Sequence, residues 1–249
     1  KYKRYNSFLS TKEMEEYSES RRNKAENING KQINEDTYYL DINHFFDGVT
    51  FNKKDGIMKF IIANKIPENT EFFPEQEGWK SLKEPKSMGA TILLSLPIGL
   101  IMASIVITIA DLYGIKSDIN LNLSLILALL IVTPIHEILH ALIFPESIKS
   151  DKVILGFSPK VGAFYAHYEG EISKIRFLMA LIMALVVITV IPLVFLCLTG
   201  INFPFLIKIS ALNALCACAD VFSFFVVLFQ VPKNSLIRNK GFKTYWKLL

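Results

Sequence analysis

The chain has 249 residues, 51% of them hydrophobic, a formal net charge of +4 and only three cysteines. Cys197, Cys216 and Cys218 all sit in apolar runs, so they give neither a disulfide framework nor a zinc-finger pair. The modest charge offers nothing for nucleic acid, and no glycine-rich phosphate loop or internal repeat is present.

Residues 1–40 are strongly polar, so no secretory signal is expected at the start of the sequence. Ser10-Thr11-Lys12-Glu13 has capping-box spacing and predicts a helix over about 11–27, within a polar arm of residues 1–35. Residues 36–86 read as a small cytoplasmic α+β region. Tyr38 to Ile42 is a candidate strand, and the runs 49–51 and 57–62 flank Lys53-Lys54-Asp55-Gly56 as a hairpin. So short a region has little core of its own and is expected to pack on the rest of the chain.

Four apolar runs follow, at about 89–110, 121–144, 175–198 and 205–230, each close to the ~20 residues that cross a bilayer. Pro97 and Pro192 are expected kinks in the first and third. Basic residues gather before the first run (Lys80, Lys83, Lys86), between the second and third (Lys149, Lys152, Lys160, Lys174, Arg176) and after the fourth (Lys233, Arg238, Lys240, Lys243, Lys247). The other two loops offer only Lys116 and Lys208, and the interiors of the spans read as free of Lys and Arg. The positive-inside rule then puts both termini and the middle loop in the cytoplasm. Within that loop, 153–157 and 161–165 flank Ser158-Pro159-Lys160 as a short β-hairpin, whose edge is a candidate dock for an extended substrate segment. The expected architecture is a mainly α membrane protein of about four transmembrane helices. Residues 87–232 form the membrane domain and 233–249 a cytoplasmic tail.

The chemistry concentrates in His136-Glu137-Ile138-Leu139-His140 on the second run. Histidines four apart share a helix face and can grip one metal ion, and Glu137 is then placed to take a proton from a water held there. Spans two and four run in the same direction, and at about 1.5 Å per residue Asp220 lies within one or two turns of the same depth. An ionisable group near the bilayer centre costs roughly 2.5–3.5 kcal/mol, and a metal offsets that charge. Asp220 is therefore the candidate third ligand, with Cys216, Glu169 and Glu171 as alternatives. Zinc suits two imidazoles and a carboxylate, with iron and manganese the alternatives. Asn213, two turns before Asp220 on the same face, is a candidate for binding substrate backbone, or else interhelical glue. His44 and His167 read as surface residues.

These residues resemble the intramembrane metalloproteases of the site-2 protease class, with the His-Glu motif on one span and Asn213 and Asp220 on a later one. More closely, the chain resembles a family of small bacterial membrane zincin-type peptidases. Gly78-Trp79-Lys80-Ser81-Leu82-Lys83-Glu84-Pro85, the His-Glu motif, the segment from Asn213 to Asp220, Val231-Pro232 and Tyr245-Trp246 carry that likeness, which spans about 78–249. Val221 after Asp220 departs from the Leu-Asp-Gly form of site-2 proteases. The expectation is a zinc endopeptidase in a bacterial cell membrane, cutting membrane proteins or peptides near the cytoplasmic leaflet. The alternative is a non-enzymatic membrane protein with a structural or regulatory metal site.

Overall fold

The computed structural model describes residues 49–51, 59–63, 66, 68–116 and 122–249. The helix expected over 11–27, the strand at 38–42, the 53–56 turn and His44 lie outside the described residues.

The apolar runs form the helices. Helix α1 (Met88–Leu112) opens on Ser87, whose side chain accepts from the Ala90 amide, and α2 (Leu123–Ile143) opens in the same way on Asn122. The third run is continuous from Lys174 to Thr199 but not uniform: α3 (Lys174–Ala184), a π-helical segment (Leu185–Val190) and α4 (Ile191–Thr199). The fourth is broken at Ala217 into α5 (Pro204–Cys216) and α6 (Cys218–Gln230), which meet at a 46° bend. Among the described residues three helices are long and apolar enough to cross a membrane, or four if the bent pair is one span. Their outward faces carry large apolar side chains such as Leu93, Leu100, Ile101, Ile126, Leu130 and Ile191, each more than half exposed. A helix surface of this kind fits lipid rather than water.

The helices pack closely where small residues allow it. Val106, Ala110, Leu196, Ile207 and Ala214 bury one cluster between α1, α4 and α5. Further along α1, Gly99 meets the α5–α6 break, and Ser95 Oγ donates to Cys218 Sγ at 3.2 Å. Lys208 corrects the expectation of spans without basic residues. It lies inside α5, is 2% exposed, and its Nζ donates to Ser124 Oγ at 2.5 Å, so a neighbouring helix end takes up the ammonium.

Two small four-stranded sheets adjoin the helices. The first has the order β1 (Val49–Phe51), β2 (Lys59–Ile62), β4 (Val153–Ser158), β5 (Ala163–Tyr168). The middle-loop hairpin forms with Ser158 paired to Ala163, and β2 runs parallel to β4 in the register Lys59↔Ile154. The early hairpin therefore does not stand apart: it extends the later one. The second sheet has the order β3 (Lys80–Ser81), β8 (Lys243–Leu248), β7 (Ser235–Lys240), β6 (Ile172–Ser173). Residues 233–249, read as a tail, thus hold the hairpin β7–β8, which turns at Gly241 with φ +55°. Leu82, Phe144, Leu155, Tyr168, Val227 and Ile237 join both sheets to α2 and α6 in one core.

Two basic side chains fasten helix ends here. Arg176 donates to the carbonyls of Ile143 and Phe144 at the end of α2, and Lys174 to those of Leu228 and Val231 at the end of α6.

Candidate metal centre

Helix α2 presents His136 and His140 on its inner face, 4% and 7% exposed, with ring centroids 4.7 Å apart. Each imidazole has its Nδ1 engaged: that of His136 at 2.9 Å from Asn213 Oδ1, that of His140 at 2.7 Å from the Ala180 carbonyl of α3. A carbonyl oxygen accepts only, so His140 Nδ1 carries a proton and Nε2 is the nitrogen left to face an ion.

Both Nε2 atoms turn toward one carboxylate. Asp220 Oδ2, in the first turn of α6, lies 2.8 Å from His136 Nε2 and 3.4 Å from His140 Nε2. The N-terminal end of a helix favours an anion, and the break at Ala217 is what gives α6 a new N-terminus at this depth. The Asp220 side chain is 22% exposed, so the locus is not sealed from solvent.

Glu137 stands beside this locus. His136, Glu137 and His140 each offer a donor atom within 4.8 Å of the others, while Asp220, Glu169, Glu171 and Cys216 are not in that group among the described residues. The Glu137 carboxylate stands near the backbone of Ala166 in β5. Two carboxylates thus border the histidine pair. Asp220 contacts both Nε2 atoms directly, whereas Glu137 stands beside the sheet edge.

The donor set fits zinc: two imidazoles whose Nδ1 atoms are hydrogen-bonded and whose Nε2 atoms converge, with carboxylate oxygen alongside.

Two residues singled out in the sequence take defined places. Asn213 is fully buried, its Oδ1 on His136 and its Nδ2 on the Ala184 carbonyl and Thr189 Oγ1. These bonds join three helical segments, as the interhelical-glue alternative has it. His167 is no surface residue: it is 4% exposed in β5, its Nε2 has no partner among the described residues, and burial pushes its pKa down to about 4. Thr189 and the carbonyls of Ala180 and Ala184 were not singled out in the sequence. The one legible signal among them was Thr189, a lone hydroxyl within an apolar run.

Residues 129–236 match the family model described as "Putative zincin peptidase". This covers less than half of the chain and is narrower than the 78–249 of the sequence resemblance, but it contains the His-Glu motif, Thr189, Asn213 and Asp220. No curated protein and no solved structure shows significant similarity to the chain. The match and the His136-Glu137-His140 group together support a zincin-like domain and zinc peptidase chemistry.

Proposed function

We propose that the chain is a zinc-dependent, membrane-embedded endopeptidase of the site-2 protease-like type, cutting membrane proteins or peptides near the cytoplasmic leaflet. The observation that carries this reading is the convergence of His136 Nε2, His140 Nε2 and Asp220 Oδ2 from two helices, with Glu137 alongside. His136, His140 and Asp220 would hold the ion, which when bound supplies Lewis-acid polarisation of a carbonyl and acidifies a water.

Glu137 then acts as the proton carrier. It accepts a proton from the attacking water and delivers it to the leaving amine. The hydrogen bonds from His136 Nδ1 and His140 Nδ1 keep both rings oriented while the charge at the site changes. In the first sheet β5 is an edge strand, and its Ala166 lies near Glu137. An extended substrate segment pairing with that edge would lie next to the proton carrier. A transmembrane substrate would first have to unwind, since a helix shields its peptide bonds.

The basic residues support a cytoplasmic site. Lys83, Lys86, Lys174, Arg176 and Lys233 flank the helix ends nearest the two sheets, the same ends that Arg176 and Lys174 cap.

The test is Glu137→Gln in the full chain, with cleavage of membrane-protein substrates followed in proteoliposomes. We expect at least a 100-fold fall in turnover with zinc still bound. Unchanged turnover refutes the mechanism. A wild type that binds zinc and cuts nothing favours the structural or regulatory metal site.

A further inference from the structure

Asn213 is not a terminal partner of His136 but the middle of a chain of hydrogen bonds. Its Nδ2 donates to the Ala184 carbonyl at 3.0 Å and to Thr189 Oγ1 at 2.9 Å. The carbonyl can only accept, which fixes the amide with Oδ1 toward His136. That oxygen also only accepts, so His136 Nδ1 carries a proton, and Nε2, 2.8 Å from Asp220 Oδ2, is the nitrogen that would take the ion. The Thr189 hydroxyl donates to the Ser210 carbonyl at 3.0 Å, so its lone pairs are what remain for Asn213. Each bond in the series permits one direction only.

The backbone makes this possible in one unusual way. Ala184 and Thr189 are five residues apart, and in an α-helix such positions lie about 140° apart around the axis. One amide could not meet both from the same side. Here the segment Leu185–Val190 is π-helical, and the Ile191 N–H bonds back to the Val186 carbonyl. An i→i+5 turn returns position i+5 close to the side of position i, so the carbonyl and the hydroxyl face α5 together. Pro192 follows, with no N–H for the Ile188 carbonyl, and Ser210 Oγ donates to it instead at 3.2 Å. Helix α5 therefore serves the π segment at two successive places.

We propose that the π segment is a positioning device for the metal centre, in which Thr189, acting through Asn213, fixes the Nδ1–H tautomer and ring orientation of His136. The proposal rests on the zinc-site reading given above. Thr189 touches neither the ligands nor a substrate, so it is a positioning residue. A valine in its place keeps the shape but gives Asn213 no acceptor, and one amide hydrogen is left unpaired in a dry interior. The amide is then free to shift, and His136 with it.

The experiment measures zinc affinity by chelator competition on the purified full chain, for wild type, Thr189→Val, Thr189→Ala, Thr189→Ser and His140→Ala. Thr189→Val is expected to bind zinc about 10–100-fold more weakly, while Thr189→Ser, which restores the hydroxyl, stays close to wild type. Rescue by serine is what a purely packing role would not give. If Thr189→Val does not fold, Thr189→Ala against Thr189→Ser reads the same difference. Wild-type affinity in the hydroxyl-free variants, with zinc lost from His140→Ala, overturns the positioning role and leaves the metal site standing. A wild type without zinc affinity, or His140→Ala that binds as wild type, overturns the site reading and this proposal with it.

Discussion

Gly99 is the residue through which α1 can perturb the metal centre from a distance. A Cβ added there would lie 2.7 Å from the Leu215 carbonyl oxygen, 2.9 Å from Cys218 Cβ and 3.2 Å from Leu215 Cδ1, where ordinary contact begins at 3.4 Å. The two nearest atoms are backbone or next to it, so α1 and the α5–α6 break must separate by about half an ångström. Overpacking of this kind costs about 1–3 kcal/mol. Asp220 lies two residues beyond Cys218, so the same displacement moves its carboxylate relative to His136 and His140. Misplacement by 1 Å can cost about 100-fold in rate, so half of that predicts a loss of about tenfold. Gly99→Ala should therefore lower both thermal stability and turnover. Gly89→Ala in the same helix is the control, because a Cβ there meets nothing within 4 Å. If the two variants melt and turn over alike, the close approach does not position Asp220.

Two further predictions concern pH. Burial pushes the Glu84 carboxyl up to about 7 from 4.5, although it accepts the Thr244 amide at 2.6 Å. Its contribution to stability is complete below pH 4.5 and is lost as pH rises through 7, a fall of about 3 kcal/mol. Glu84→Gln keeps an acceptor for Thr244, so it should match wild type at pH 4 and be more stable at pH 8 in thermal melts. Equal melting at both pH values would contradict this. His167 behaves in the opposite sense: with its pKa pushed down to about 4, stability is complete above pH 6.5 and falls as the pH drops through 4. His167→Met should remove an acid-induced loss of about 3 kcal/mol, which denaturant titrations at pH 7 and pH 4.5 would detect.

The positions of the membrane helices were legible because hydropathy alone sets a run of about 20 residues apart. The expected runs and the observed helices agree closely, Met88–Leu112 and Leu123–Ile143 among them. The His-Glu motif was legible because helical periodicity fixes which side chains share a face. The break at Ala217 was not legible. No proline or glycine marks it, and it lies where α5 and α6 pack against Gly99 of another helix. For the same reason the partners of Asn213 were not legible, because they come from α2 and the π segment. The second sheet escaped notice because β3 and β6 are two residues long and β7–β8 is rich in lysine. Strands that short carry no alternation to read.

The account turns on Asp220 closing a three-residue metal site with His136 and His140, and metal analysis of the purified full chain tests it most directly. The prediction is one zinc per chain in wild type, retained in Glu137→Gln, and lost or bound at least tenfold more weakly in Asp220→Ala as in His140→Ala. Zinc held at wild-type affinity by Asp220→Ala, or no stoichiometric metal in the wild type, would contradict it.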